Sequence, residues 1–377
     1  MAKRKRIGIN FSYNEGWIAG SYYTLNLVSA LNFLPDYQKP KLIVVSSKSS
    51  FSILQDETNY KYLKKFKVSF LKRIINKIGS ILFKVQLVSD SISKRDVDFI
   101  YPCHMSELSS KSKVKKLFWV PDYQEKYYPH FFSKEDIDTR DQQNKNLLYS
   151  KNDVVFSSNN SQNDAEKFYP DSSATTHVLQ FAVSLPQIEN ITFDYLKTKY
   201  NLPDLFFFCP NQFWQHKNHI IILKAISILK LRGVEINVVF SGKQEDNRVK
   251  DHFESLIKYI EDNNISDNVT FLGFLDRSEQ LAILNFSTLV IQPSLFEGWS
   301  TVVEDCKSLN KFILISDLEV HTEQIQENCD FFDKNDEIQL ANMLHKYVGL
   351  SPVINPKNYI RNIEKFALDF IEISNKI

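Results

Sequence analysis

The chain has 377 residues, of which 43% are apolar and 13% are aromatic, so it is long enough for two domains, each with its own core. Its formal net charge is +1, which excludes a general electrostatic attraction to nucleic acid. The four cysteines lie far apart and form no C-x-x-C pair, which argues against a zinc site and favours a reduced, cytoplasmic protein.

Short apolar runs alternate with helical patterns along the chain. The first half contains strand-like runs at 6–12, 41–47, 97–102, 116–122, 153–158 and 177–183, with helical patterns at 21–34 and 140–150. The second half contains strand-like runs at 205–210, 236–242, 269–274, 287–293 and 311–317, separated by helical patterns at 217–232, 276–286 and 300–309. Continuous apolar strands that alternate with helices predict parallel sheets covered on both faces.

Two such sets of strands predict an α/β fold of two doubly wound, Rossmann-like parallel-sheet domains that face a cleft. Polar, proline-containing sequence at 184–204 interrupts the alternation and marks the join. We predict a first domain at 1–185, joined by a C-terminal helix at 356–377, and a second domain at 186–355. Ligands bind such sheets at the carboxyl ends of the strands, so the site residues should directly follow strands.

Residues that suit ligand binding do follow six of the predicted strands. Gly16 and Gly20 come after the first strand, and Asp122 ends the run at 116–122. In the second half, the corresponding candidates are Gln212, Lys217, Ser241, Gly242, Phe274, Leu275, Glu297 and Glu304.

The segment at 293–317 contains the strongest of these patterns. A strand runs into a loop with Glu297 and Gly298, after which Ser300 and Thr301 open a helix that carries Glu304 on its first turn. A helix that starts after such a loop directs several free backbone N–H groups at one point, which suits a phosphate. A phosphate-binding site flanked by two carboxylates suits a sugar nucleotide, whose hydroxyl groups would donate hydrogen bonds to the carboxylates.

Several motifs resemble those of family 4 glycosyltransferases, which have the GT-B fold. They are NQFWQHKN at 211–218, FSG at 240–242, FLGFL at 271–275 and PSLFEG at 293–298. Lys217 matches the family's lysine that holds the donor diphosphate, whereas Gln212 stands where the family usually has arginine. Six residues separate Glu297 from Glu304, where the family usually has seven. WVPDYQEKYYPHFFS at 119–133 resembles a variant in which P-D-x-Q replaces His-Asp.

The resemblance covers nearly the whole chain and implies a retaining, metal-independent glycosyltransferase of the hexosyltransferase type. Such an enzyme moves a sugar from a nucleotide-diphosphate donor to a glycan or lipid-linked acceptor. A membrane-surface role of the basic segment at 60–89 would fit a lipid-carried acceptor, as in cell-envelope polysaccharide or lipopolysaccharide synthesis. Lys217, Glu297 and Asp122 are the expected catalytic residues, and Glu304 is expected on the ribose hydroxyls. The expected donor-binding residues are Gly16, Gly20, Gln212, Lys217, Ser241, Gly242, Phe274, Leu275, Glu297, Gly298, Ser300, Thr301 and Glu304.

Two alternatives stay open from the sequence. One is a catalytically inactive scaffold or binding subunit that kept the fold, and the other is a nucleotide-sugar epimerase of the same fold. The pair Asp136 and Asp138 resembles the metal site of a different glycosyltransferase architecture, but it follows Ser133 in a capping-box pattern, so we interpret it as a helix start. We expect no metal and no other cofactor.

Residues 60–89 contain eight lysines and arginines, no acidic residue and many apolar side chains. A basic amphipathic helix of this kind is typical of membrane-surface segments, and a core-packing helix with a solvated basic face fits equally well. The chain shows no secretion signal and no apolar run of membrane-spanning length. We therefore expect a cytoplasmic protein, peripheral on the inner face of the cell membrane if this segment binds lipid.

Overall fold

The structure is a computed structural model and describes residues 4–67, 92–105, 108, 113–186, 188–246 and 248–377. Most of the basic segment, residues 68–89, lies outside the described residues, so its expected membrane role stays a prediction. None of the helices in the described ranges is long and apolar enough to cross a lipid bilayer.

Within the described residues, the first sheet has seven strands, all parallel, in the order β3-β2-β1-β4-β5-β6-β7. The strands are β1 (Arg6–Asn10), β2 (Lys41–Val45), β3 (Leu63–Lys65), β4 (Phe99–Cys103), β5 (Lys115–Val120), β6 (Asp153–Phe156) and β7 (Thr175–Val178). Its helices are α1 (Ile18–Ala30), α2 (Lys48–Thr58), α3 (Gln124–Tyr127), α4 (Lys134–Leu148) and α5 (Asn159–Phe168).

The second sheet, as far as the chain is described, has six parallel strands in the order β10-β9-β8-β11-β12-β13. The strands are β8 (Phe207–Cys209), β9 (Val238–Phe240), β10 (Val269–Phe271), β11 (Val290–Gln292), β12 (Ile313–Ser316) and β13 (Cys329–Phe332). The remaining helices are α6 (Phe193–Tyr200), α7 (His219–Leu231), α8 (His252–Asp262), α9 (Arg277–Phe286), α10 (Thr301–Ser308), α11 (Glu319–Gln324), α12 (Glu337–Lys346) and α13 (Ile360–Lys376).

Each sheet is buried on both faces, which explains why its strands are continuously apolar. In β8, Phe207 and Cys209 pack into one core cluster while Phe208 packs into the cluster on the opposite face. This is the alternation that a pleated strand imposes. The prediction of two doubly wound parallel-sheet domains is confirmed, and all eleven predicted strands are present.

Strands β3 and β13 were not predicted. Their sequences are LKK and CDFF, and neither shows a continuous apolar run. Both lie at a sheet edge, where one side of the strand pairs with no other strand of the described residues and less burial is required.

The last helix returns to the first sheet. Ile363, Phe366, Phe370 and Ile373 of α13 are spaced three or four residues apart, so they lie on one face of the helix. All four are buried in the same core cluster as Ile7 of β1 and Leu27 of α1. The chain therefore starts and ends in one core, with the second sheet between.

Hydrogen bonds join the two sheets across the cleft. Trp299 Nε1 donates to the Phe181 carbonyl at 3.0 Å, and Tyr128 Oη donates to the Leu295 carbonyl at 3.0 Å. The carboxylate of Glu323 accepts from the backbone N–H of Asn159 at 2.8 Å and so caps the start of α5. These contacts hold the carboxyl ends of both sheets close together, where the strand order of each sheet reverses.

Candidate active site

Two adjoining cavities lie in the cleft. The small cavity, of about 140 Å³, is bounded by the starts of α1, α9 and α10 and by the loops after β8 and β11. The large cavity, of about 720 Å³, reaches from there to the ends of β4 and β5. Six residues line both cavities: Ala19, Trp214, Lys217, Glu297, Trp299 and Thr301.

An ion pair stands on this shared wall. Lys217 Nζ lies 2.6 Å from Glu297 Oε1, and both side chains are largely buried. The same oxygen accepts from Ser294 Oγ at 2.6 Å and from Gln292 Nε2 at 2.9 Å. Burial by itself would raise the pKa of Glu297, but the charge of Lys217 and the hydrogen bonds from Lys217 and Ser294 lower it below the ordinary value. Glu297 is therefore a carboxylate at neutral pH, and its bonds to the described residues all end on Oε1.

The chain brings Lys217 to this wall through a short 3-10 turn, Gln215–Lys217, that follows β8. Asn218 ends the turn in a left-handed conformation, with φ of 56°. Its side-chain amide donates to the Pro293 carbonyl at 3.1 Å and to the Lys334 carbonyl at 2.9 Å. The first bond fixes the turn to the loop after β11, which carries Glu297, and the second fixes it to the loop after β13.

Two glycines are needed for close approaches. Gly242 has φ of +142°, and a Cβ there would collide with the Asn211 carbonyl. Gly298 lies in the loop after β11, and a Cβ there would lie 2.5 Å from the Pro121 carbonyl of the first domain. Only glycine allows the two loops to meet at this point.

The start of α10 faces the small cavity. Ser300 caps the helix by accepting from the Val303 N–H at 3.4 Å, and Thr301 and Val302 line the cavity. Backbone N–H groups in the first turn of a helix have no partner within the helix, so this end suits a phosphate, as the sequence predicts.

The structure corrects the expectation for Glu304. Its Oε1 accepts from Lys307 Nζ at 2.7 Å and from Gln324 Nε2 at 3.0 Å, and its Oε2 accepts from Tyr359 Oη. The side chain is buried and lies outside both cavities. Successive residues of a helix differ by about 100° in direction, so a shift of one residue changes the face.

Asp305 lines the small cavity in place of Glu304. Seven residues separate it from Glu297, which is the spacing usual for the family's two glutamates, so the spacing was the signal that could have found it. Both oxygens of Asp305 are bound by the guanidinium of Arg277, with Nη1 at 2.8 Å from Oδ2.

Arg277 is a second residue that sequence analysis missed. It stands at the first position of α9, where the sequence indicated only a helix start. Its guanidinium carbon lies 5.1 Å from the centre of the Tyr22 ring, which belongs to α1 of the first domain. Both residues line the small cavity, so this contact closes the cavity across the cleft.

The expected contribution of the first glycine loop is also corrected. The Gly16 N–H donates to Asn14 Oδ1 at 2.9 Å, and the residue lines neither cavity. Gly20 lines only the large cavity, and its missing Cβ makes room for the Trp17 ring. Ile18, Ala19 and Tyr22 of α1 form this wall of the small cavity instead.

The other expected residues divide between the two cavities. Ser241 is fully buried and lines neither, and its Oγ accepts from Gln280 Nε2 at 3.4 Å. Asp122 and Gly298 line the large cavity. The small cavity includes Gln212, Lys217, Gly242, Phe274, Leu275, Glu297, Ser300 and Thr301.

Asp122 is buried at the wall of the large cavity. Burial raises the pKa of its carboxyl group, although Oδ1 accepts from the Gln124 N–H at 3.1 Å. Nearby, Arg248 of the second domain donates to Gln124 Oε1 of the first at 2.9 Å. The carboxylate thus lies beside a contact between the two domains.

Asp136 lies in the first turn of α4. Ser133 Oγ accepts from the Asp136 N–H at 3.1 Å and caps α4, as the sequence pattern predicts. Among the described residues, no group of three or more His, Cys, Asp or Glu side chains is arranged to hold a metal ion.

Residues 194–366 match the model of a family described as "Glycosyl transferases group 1". A search of curated proteins finds no match. Sucrose-phosphate synthase from Thermosynechococcus elongatus has a similar fold, with a TM-score of 0.65 and 14% identity over 99% of both chains. Anabaena HepE in complex with UDP superimposes with a TM-score of 0.64 and 13% identity, covering 99% of this chain and 100% of that one.

A third similar structure is WaaG, a glycosyltransferase involved in lipopolysaccharide biosynthesis, with a TM-score of 0.58 and 11% identity over 98% of both chains. At such low identity these structures establish the fold, which is GT-B. The predicted resemblance to family 4 glycosyltransferases of GT-B fold is thereby confirmed.

Proposed function

Because residues 194–366 belong to the group 1 glycosyl transferases, we propose that this glycosyltransferase moves a sugar, with retention, from a nucleotide-diphosphate donor to a glycan acceptor. The observation that carries the proposal is the Lys217–Glu297 ion pair, which stands between the two cavities and beside the start of α10.

The donor binds at the small cavity with its nucleotide and reaches with its sugar to the wall shared with the large cavity. The diphosphate lies against the first turn of α10, where unpaired N–H groups and the helix dipole favour an anion. Lys217 offsets the negative charge that develops on the leaving oxygens. At the other end of the small cavity, Phe274 and Leu275 border the base of the nucleotide. Asp305, which is held by Arg277, accepts hydrogen bonds from the ribose hydroxyls.

The large cavity takes the acceptor, whose hydroxyl meets the donor sugar at the shared wall. The acceptor oxygen bonds to the anomeric carbon while the bond from that carbon to the diphosphate breaks. The electron pair leaves with the diphosphate, and the hydroxyl proton passes to a departing phosphate oxygen. Attack on the face that the diphosphate leaves retains the configuration, and the step needs no metal.

Glu297 and Asp122 have different roles in this scheme. Glu297 is ionised, so it accepts from hydroxyls of the transferred sugar and stabilises positive charge on its ring. Asp122 contacts the acceptor or the donor sugar, and its buried position makes that contact strong because little water competes.

The pathway and location are part of the proposal. The similarity to WaaG, named for lipopolysaccharide biosynthesis, supports an acceptor in cell-envelope polysaccharide or lipopolysaccharide synthesis. The Anabaena HepE complex supports UDP as the first nucleotide to test. Peripheral attachment to the inner membrane face depends on residues 60–89.

The test is a thermal-shift panel of UDP, GDP, ADP and CMP and their sugars, with and without EDTA. Stabilisation by one diphosphate, unchanged by EDTA, followed by transfer from the corresponding sugar nucleotide to added glycans, is the expected result. Conversion of the sugar without any acceptor would favour the epimerase. An absence of any nucleotide shift would favour a non-catalytic subunit, to which the replacement of the usual arginine by Gln212 also points.

A further inference from the structure

All four tryptophans of the chain line the large cavity. They are Trp17, Trp119, Trp214 and Trp299, and no other tryptophan exists in the 377 residues. They come from four distant segments and from both domains, so they do not cluster in space merely because they are close in the sequence. Tryptophan presents the largest flat apolar face of any side chain, and its concentration on one wall indicates a ligand that packs on such faces.

The first-domain tryptophans form a fixed stack. Trp119 lies parallel to Tyr23 with ring centres 4.1 Å apart, and Trp17 stacks on Trp119 with centres 5.7 Å apart. Trp119 Nε1 donates to Ser157 Oγ at 3.0 Å, which fixes the middle ring. Trp17 is the outermost ring, and 37% of its surface remains exposed. The stack therefore presents a pre-organised aromatic face to the cavity.

The second-domain tryptophans stand where the two cavities meet. Trp214 and Trp299 line both the small and the large cavity. Trp299 is fixed through its Nε1 bond to the Phe181 carbonyl, so its polar edge is already used. A ligand that extends from the shared wall into the large cavity passes from these rings to Trp17.

The charge of the large cavity excludes a strongly anionic ligand. Its described lining contains three permanent cations, Lys217, Arg140 and Arg248, against four carboxylates, with Glu297 and Asp122 among them. All three cations are already engaged: Lys217 is paired with Glu297, Arg140 lies 3.6 Å from Glu125, and Arg248 binds Asp246 and Gln124. A phosphate or carboxylate group would find no surplus positive charge here.

From these observations we propose that the large cavity binds an uncharged saccharide of at least two sugar units, with a sugar ring packed on Trp17. The C–H face of a pyranose packs on an aromatic ring as apolar surface does, while its hydroxyls bind carboxylates and amides. A volume of about 720 Å³ is within the usual range for sites that bury drug-sized ligands, a class that includes a disaccharide. That this saccharide is the acceptor rests on the proposed function.

The tryptophans themselves provide the measurement, because all the indole fluorescence of the chain comes from this cavity. Maltose, cellobiose, lactose and chitobiose are titrated as uncharged probes, with glucose 6-phosphate and glucuronic acid as charged ones. Binding is checked by saturation-transfer NMR, which does not depend on tryptophan. We expect at least one uncharged disaccharide to bind, and the charged sugars to bind more weakly.

Trp17→Ala and Trp17→Phe are the matched variants. Loss of the ring should weaken saccharide binding roughly fivefold to tenfold, and phenylalanine should restore most of it. UDP affinity, measured in the same samples, should stay unchanged, which also shows that the variants are folded.

Preferential binding of the charged sugars, no binding of any disaccharide by wild-type protein, or equal binding by Trp17→Ala would each overturn the proposal. Failure of the proposed function is a separate result: saccharides would bind through Trp17, but no sugar nucleotide would react. Transfer that does not depend on Trp17 would leave the proposed function standing and refute this one.

Discussion

Lys217 Nζ lies 2.6 Å from Glu297 Oε1 in the wall between the two cavities. Neither charge has much access to water, so each depends on the other until a ligand arrives. A diphosphate beside the start of α10 would bring a second anion to Lys217. Donor binding would therefore weaken the bond between Lys217 and Glu297 and leave the Glu297 carboxylate able to contact the sugar.

Glu297→Gln should separate binding from catalysis. The amide keeps the shape and can still accept from Ser294 and Gln292, but it removes the negative charge that competes with phosphate for Lys217. We expect nucleotide-diphosphate affinity to be kept or increased, and the transfer rate to fall by about 100-fold or more. Calorimetry and a single-turnover assay measure the two quantities, and an unchanged rate would remove Glu297 from the mechanism.

Asp305→Asn and Glu304→Gln form a matched pair on neighbouring residues of α10. Asp305 faces the small cavity, so its change should weaken nucleotide binding and reduce the preference for ribonucleotides over 2′-deoxyribonucleotides. Glu304 is satisfied by Lys307, Gln324 and Tyr359, so its change should cost about 1–3 kcal/mol of stability and leave nucleotide affinity unchanged. The reverse pattern in calorimetry and thermal melts would contradict the placement of these two side chains.

Gly298→Ala should force the domains apart. The new methyl group would meet the Pro121 carbonyl at 2.5 Å, and a backbone atom cannot move aside as a side chain can. We expect a lower melting temperature and a strong loss of transfer. Gly16→Ala is the control, because the nearest atom to its Cβ would be the end of the Asn14 side chain at 3.2 Å. Equal effects of the two changes would show that the loops do not meet as described.

His219 should make the protein less stable in acid. Its ring is buried and stacks on Phe213 with centres 4.3 Å apart, and burial, with a further contribution from His252, lowers its pKa to about 3. The unfolded chain binds this proton near pH 6.5 and the folded chain does not, so stability falls as the pH is lowered from about 6.5 to about 3.

His219→Phe removes this proton and keeps an aromatic ring in the same position. The melting temperature of the variant should therefore fall less between pH 7 and pH 4 than that of the wild type. Parallel pH curves for the two proteins would show that His219 does not contribute to acid sensitivity.

The fold could be predicted because its strands are buried on both faces and therefore appear as continuous apolar runs. The location of Lys217 and Glu297 in the cleft could be predicted for a related reason: each lies in a short contiguous motif between such a strand and the next helix. Glu304 was misplaced because the direction of a helical side chain depends on where the helix begins to within one residue, which a pattern does not resolve.

The tryptophans and Arg277 escaped sequence analysis for a different reason. Trp17, Trp119, Trp214 and Trp299 meet only in the folded arrangement of the two domains, and no local pattern marks them. Arg277 has the ordinary sequence context of a helix start, and its role depends on Asp305 and Tyr22, which are distant in the chain.

The central claim is that the small cavity binds a nucleotide diphosphate through Lys217. The most direct test is calorimetry of UDP binding, with and without EDTA, to wild-type protein, Lys217→Ala and Lys224→Ala. Lys224 is a matched control on α7, about 42% exposed and outside both cavities. Loss of a charged hydrogen bond worth about 1.5–3 kcal/mol should weaken binding roughly 10-fold to 100-fold in Lys217→Ala alone, with no effect of EDTA. Equal UDP affinity in all three proteins would contradict the account.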